Sequence, residues 1–262
     1  MIENIKNIIR PLYWKIYSSL HKLKLESPIF IVGCGHSGTT LMLRILYEHD
    51  QLLAIDYESS VIGENYVNYP LLVNWTKARR NAGKSSWVEK TPDQIRHLDK
   101  IFSTFPNAKV IVMMRDGRDV ALSLKNRGGN IEDHMQRWIQ DNNHWLKYEN
   151  DKRVIPVKLE DFVENSKGEL EDICKKIGVN YYDNLLEYHN KKFTYSNVEA
   201  KKTDGKGENH QLNRNWQVNQ KIFKSTSRWE KEAEASDLGL FNNIPEFKAM
   251  LSKLNYLNTH SK

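Results

Sequence analysis

The sequence predicts a single α/β domain, three αβα layers built around a central, mostly parallel sheet. Three observations carry that expectation: continuous apolar runs of strand length, helical patterns between them, and a glycine-rich turn that joins the first run to a helix. A run that is apolar at every position suits a strand buried on both faces, which a parallel sheet covered by helices demands. Strands alternating with helices make parallel crossover units. The 262 residues suffice for one sizeable core, and no repeat or Pro/Gly/Ser-rich linker divides them.

Residues 1–26 read as an N-terminal amphipathic helical extension, with Ile5, Ile8, Ile9, Leu12 and Ile16 at helical spacing and Pro11 placed to kink it. Lys6, Arg10 and Lys15 break each apolar run well short of a membrane span, so the pattern fits a helix packed on the domain or a basic helix in peripheral contact with a membrane surface. No signal-peptide core with a cleavage site follows. A cytoplasmic location, with or without membrane association, is the expectation.

The domain proper runs from 27 to 262. "PIFIVG" is the first buried strand, and a helix follows from Gly38 to about Tyr47. A loop passes through Glu58, a mostly helical stretch reaches about Arg80, and "SWVEK" is a short strand. "TPDQIRHLDKIFSTF" reads as one helix with Pro92 in its first turn. "AKVIVMM" is a second fully buried strand that ends at Arg115. Helical patterns cover about 117–126 and 131–149, "RVIPVKL" is a third strand, and "SKGELEDICKKIG" is a helix closed by Gly178. From 191 to 226 the chain is polar and aperiodic, as a mobile lid or an insert is. "FNNIPEFKAMLSKLNYL" returns to helix.

Composition narrows the function. A net charge of +6, from 39 basic and 33 acidic residues, favours anionic ligands. No zinc-finger, homeodomain or RNA-binding signature accompanies it, so nucleic acid is not the expected partner. Two cysteines cannot build a disulfide framework and suit a reducing compartment; Cys34 fills a tight turn or is a reactive thiol. The histidines show no paired metal spacing, and no metal is expected.

"GCGHSGTT", residues 33–40, is a P-loop-like anion cradle: glycines let backbone N–H groups approach an anion, the helix start presents unsatisfied donors, and two hydroxyls add more. The lysine that neutralises a triphosphate is absent, with Thr39 in its place, so the loop suits a ligand with no triphosphate. In "MMRDGRDVALSLKNR" Arg115 ends a strand, Ser123 lies two helical turns on and Arg127 four residues later, a spacing that can grip one phosphate. A lattice of Asp116, Arg118 and Asp119 ion pairs is the competing reading of that run.

Taken with the KTP of "WVEKTP" and the late "STSRWEKE", these motifs resemble the PAPS-dependent sulfotransferases, in the branch of the tyrosylprotein sulfotransferases and many bacterial relatives. The resemblance spans about residues 28–256. It implies that Gly35, His36, Ser37, Gly38, Thr39 and Thr40 hold the 5′-phosphosulfate of 3′-phosphoadenosine 5′-phosphosulfate (PAPS), and that Arg115 and Ser123, with Arg127, hold its 3′-phosphate. It implies that Lys90 stabilises the departing phosphate, that Glu58 is the general base with Asp56 or Glu64 as alternatives, that Ser227 touches the sulfuryl group and that Arg228 touches the cofactor. The family carries Arg or Lys where His36 stands, so protonated His36 is the expected substitute, with rate loss above its pKa. Leu159 stands where a tyrosine contact is usual. The expected reaction is sulfuryl transfer to a hydroxyl on a glycan, a protein tyrosine or a small molecule, a carbohydrate being favoured, with Tyr57, Tyr66, Tyr69 and Trp75 on the acceptor side. A P-loop kinase or a non-catalytic nucleotide-binding module is the rival.

Overall fold

The computed structural model describes residues 10, 11, 16, 23–195, 198–203, 209–223 and 226–257. Most of the expected N-terminal helical extension lies outside these residues. Five strands, β1 (Ile29–Gly33), β2 (Leu52–Ala54), β3 (Ser86–Lys90), β4 (Lys109–Met114) and β5 (Val154–Lys158), form one sheet in the order β2-β3-β1-β4-β5. Every pairing in it is parallel.

The alternation along β1 shows how both faces are covered. Phe30 and Val32 join Trp87, Val110 and Val112 in one core, while Ile29 and Ile31 join Val88, Ile111 and Met113 in the other. Helices α1 (Thr39–Tyr47), α6 (Leu159–Glu164) and α7 (Ser166–Ile177) supply the second core through Met42, Leu43, Phe162 and Ile173. The first is closed by α2 (Tyr69–Asn81), α3 (Leu98–Thr104), α4 (Gly117–Lys125), α5 (Ile131–Leu146), the short α9 (Trp229–Glu232), α10 (Ala235–Asn243) and α11 (Pro245–Lys253). The architecture is three-layered αβα. Register sets Ile31 beside Lys90 and Gly33 beside Met113, so the carboxyl ends of β1, β3 and β4 open on one rim. Ligands of open parallel sheets bind at that rim.

Several elements differ from the sequence reading. β2 is three residues long, too short to show a period, and was expected as loop. Helix in the next stretch begins only at Tyr69, where Asn68 accepts a hydrogen bond from the Leu71 N–H; residues 59–68 are loop with one antiparallel bridge, Ile62 to Val67. The expected helix from Thr91 is a 3-10 turn, Pro92–His97, followed by the α-helix α3. The last helical stretch is split at Ile244, because a residue before proline leaves the helical region.

The 191–226 segment departs most. Its described residues include α8 (His210–Gln217), and Phe193 and Tyr195 are buried. Asn215, itself buried, donates to the carbonyls of Tyr195 and Val198, and Asn219 exchanges two hydrogen bonds with Phe193. Polar side chains here satisfy backbone inside the fold, which is why the segment reads as aperiodic while the described parts are packed.

Candidate active site

The first cradle is the turn between β1 and α1. Gly33, at φ 156°, is obligatory because a Cβ there would stand 2.4 Å from the Met113 carbonyl oxygen. Gly38 adopts φ 89°, and a Cβ on it would meet Leu159 at 2.8 Å. Thr39 and Thr40 are buried at the head of α1, and Ser37 is buried with its Oγ lacking a hydrogen-bond partner among the described residues. An orphaned hydroxyl at a helix N-terminus beside two threonines is what an anionic group would satisfy.

The second cradle follows β4. Arg115 donates to the carbonyl of His36 at 3.2 Å and to Asp119 at 3.1 Å, and Asp119 in turn accepts the N–H of Trp229 at 2.9 Å. The ion-pair lattice is present too, since Arg118 pairs with Asp116 at 2.6 Å. It occupies Arg118 and leaves the Arg115 side chain between the two cradles. Ser123, on α4, lies 2.5 Å from His36 Nδ1. Arg127 follows the end of α4 and lines the same cavity.

His36 does not match its expected role as a loop cation. Burial first, and then the charges of Arg127, Arg115 and Arg137, hold its pKa well below the ordinary histidine value, so the ring is neutral near pH 7. It sits at φ 73°, in the left-handed region, and its ring meets Ser123. His36 therefore ties one cradle to the other through both ring and carbonyl.

The third group pairs a buried lysine with a carboxylate. Lys90, fully buried at the end of β3, donates to Glu58 at 2.6 Å and lies 4.4 Å from the ring centre of Tyr195. Arg214, from α8, reaches the same Glu58 oxygen at 3.3 Å. Burial alone would raise the Glu58 pKa, but Lys90 and then Arg214 outweigh it and hold the carboxyl below its usual range. Burial pushes Lys90 down to about 8, against the pull of Glu58.

A buckle beneath this pair escaped the sequence reading. Glu89, fully buried, accepts from Thr91 Oγ1 and, at 2.7 Å, from Ser59 Oγ, while the N–H groups of Ser59 and Ser60 donate to Thr91 Oγ1 at 3.1 and 3.2 Å. The loop that carries Glu58 is thereby fastened to the strand that carries Lys90. Burial raises the Glu89 pKa to about 7.

These groups converge on one cavity of about 480 Å³, a volume suited to a nucleotide-sized ligand. Gly35, His36, Gly38, Thr39, Thr40, Glu58, Arg115, Ser123, Arg127 and Arg228 all line it. Ser37, Lys90 and Ser227 do not; Lys90 meets the cavity through Glu58, and Ser227, at φ 59°, stands one residue behind Arg228. Arg228 is held by Glu232 at 2.7 Å. Asp56 and Glu64 are not in the lining, nor are Tyr57, Tyr66, Tyr69 and Trp75; Trp75 instead packs on Trp87 in the core. Sequence reasoning missed Arg137 and gave Arg214 no role at Glu58, and both face the cavity. Each sits on a helix where a charged residue looks like ordinary solvated surface.

A family model described as the sulfotransferase family matches residues 66–183, the stretch that holds Lys90, Arg115, Ser123 and Arg127. Over that stretch, somewhat less than half of the chain, the sequence is similar to the sulfotransferase family. Solved structures agree in fold. The sulfotransferase domain from the curacin biosynthetic pathway is 17% identical, with 89% of this chain and 99% of that chain aligned at a TM-score of 0.67. The sulfotransferase domain from the Synechococcus PCC 7002 olefin synthase is 19% identical over 88% and 96%, at 0.60. Mouse sulfotransferase SULT7A1, complexed with PAP, is 14% identical over 90% and 89%, at 0.52. No curated protein matches the chain.

Proposed function

We propose that the chain transfers a sulfuryl group from PAPS to an acceptor hydroxyl, and that the acceptor is a carbohydrate. One observation carries the nucleotide assignment: two anion cradles, one at the lysine-free turn and one at the Arg115 strand end, open on the same cavity with a carboxylate facing them. The complex of the mouse relative with PAP, a nucleotide phosphorylated at both ends, supports the reading. PAPS supplies, when bound, an activated sulfuryl group on a phosphate that leaves readily.

The residues present fit such a ligand. The Gly35–Thr40 turn, with its orphaned Ser37 hydroxyl, suits the 5′ end, and Arg115, Ser123 and Arg228 suit the 3′-phosphate. Glu58, ionised by its cationic neighbours, accepts the acceptor's proton as the hydroxyl attacks, a contribution typically on the order of 10²–10⁴-fold. Lys90 orients Glu58 and provides positive charge at the back of the site. As Glu58 takes up the proton its hold on Lys90 weakens, which turns that charge toward the oxygens that become more negative.

The acceptor proposal rests on the polar lining of the cavity, where Ser60, Asp93, Asn126, Asn213 and Gln217 offer both donors and acceptors to a polyhydroxylated partner. A screen with radiolabelled PAPS against glycans, tyrosine peptides and simple alcohols tests it. Label is expected on a glycan; label on tyrosine or a small alcohol alone replaces the acceptor class and leaves the transfer reaction standing.

A further inference from the structure

The loop cation is missing at His36, and the cavity supplies another in its place. Arg137 projects from the second turn of α5, and its Nη2 stands 3.6 Å from where a Cβ on Gly35 would be, against the backbone of the phosphate turn. Its guanidinium lines the cavity and has two carboxylate neighbours of different kinds. Asp141, one helical turn on and fully buried, lies 3.6 Å from Arg137 Nε and is anchored by Arg96 at 2.7 Å. Asp93, 62% exposed, accepts from Arg137 Nη2 at 2.9 Å.

The two carboxylates do different work. The buried one aligns the arginine head. The exposed pair contributes little in water, so Nη2 can exchange Asp93 for an incoming anion at small cost. Removing Asp93 from the guanidinium frees the very nitrogen that lies nearest Gly35. His36 meanwhile is neutral and turned to Ser123, so it cannot supply this charge.

We infer that Arg137 is a catalytic residue of this site, a guanidinium delivered from α5 to the 5′ phosphosulfate end in place of the usual loop cation. The inference rests on the sulfotransferase reading and extends it to a residue outside every motif. An arginine there offers a planar donor pair to the oxyanion and charge that grows in value as the phosphate departs. It also accounts for histidine in the loop where the resemblance expects Arg or Lys.

The test needs no acceptor. Titration calorimetry compares adenosine 3′,5′-bisphosphate with adenosine 3′-monophosphate, which lacks the 5′ group. Arg137→Ala is expected to weaken the bisphosphate roughly tenfold or more, the loss expected for a charged hydrogen bond, while the monophosphate changes less than about threefold. Arg137→Lys should keep most of the preference, and His36→Arg placed on Arg137→Ala should restore part of it. Equal weakening of both ligands, or of neither, overturns the inference. A parent protein that ignores the bisphosphate overturns the nucleotide reading itself, and this inference with it.

Discussion

Glu58 and Lys90 share one part-buried hydrogen bond, and that bond makes the pH behaviour of the site predictable. The Lys90 charge is complete below about 8 and is lost as pH rises through that value. Turnover should therefore fall above about pH 8. Glu58, held below the ordinary glutamate range, keeps its basic form into mildly acid solution. His36, held neutral, contributes no limb near the ordinary histidine pKa; a break there that His36→Gln abolishes would contradict its placement against Ser123. Lys90→Ala should lower turnover roughly 10²–10³-fold, measured with labelled PAPS and any productive acceptor. Turnover within threefold of the parent would remove Lys90 from the mechanism. Glu58 was singled out only through the family resemblance, since an isolated loop glutamate carries no local signal. His36 and Ser123 stand 87 residues apart, and nothing local links them.

At the level of elements, β1 and β4 were readable because each is apolar on both faces, and β2 was not because three residues cannot show a pattern. The turn between β1 and α1 was equally legible, and its glycine at 38 makes a sharp prediction. Gly38→Ala forces a left-handed φ on a residue with a side chain and drives a methyl into Leu159, a strain of order 1–3 kcal/mol. Loss of bisphosphate binding with a lowered melting temperature is expected, and unchanged binding would show that the turn is not the 5′ cradle. Helix α8 was not legible because the buried Asn215 and its neighbour Asn219 look like loop residues in sequence. Its Arg214 bridges α8 to Glu58, so ligand binding and the packing of this segment are linked. Limited proteolysis should cut residues 191–226 more slowly when the bisphosphate is present; identical cutting would separate the segment from the site.

Across the whole molecule, buried carboxyl groups set how stability responds to pH. Glu89 and Glu160 both rise from 4.5 to about 7, first because of burial. Between those values the folded chain holds protons that the unfolded chain has released, so stability falls as pH climbs from 4.5 to about 7. Glu89→Gln, which keeps an acceptor for Ser59 and Thr91, should gain on the parent in thermal midpoint between pH 5 and pH 8; an unchanged difference would place the Glu89 proton elsewhere. The fold was legible at this scale because both sheet faces announce their burial, whereas the gathering of Arg127, Arg137, Arg214 and Glu58 on one cavity becomes visible only in three dimensions. The central claim is that one cavity grips both phosphorylated ends of an adenine nucleotide. Titration calorimetry in the presence of a chelator tests it most directly: tight uptake of adenosine 3′,5′-bisphosphate, lost on Arg115→Ala, is the expected result. Indifference to that nucleotide, together with uptake of magnesium-ATP once the metal is supplied, would contradict it.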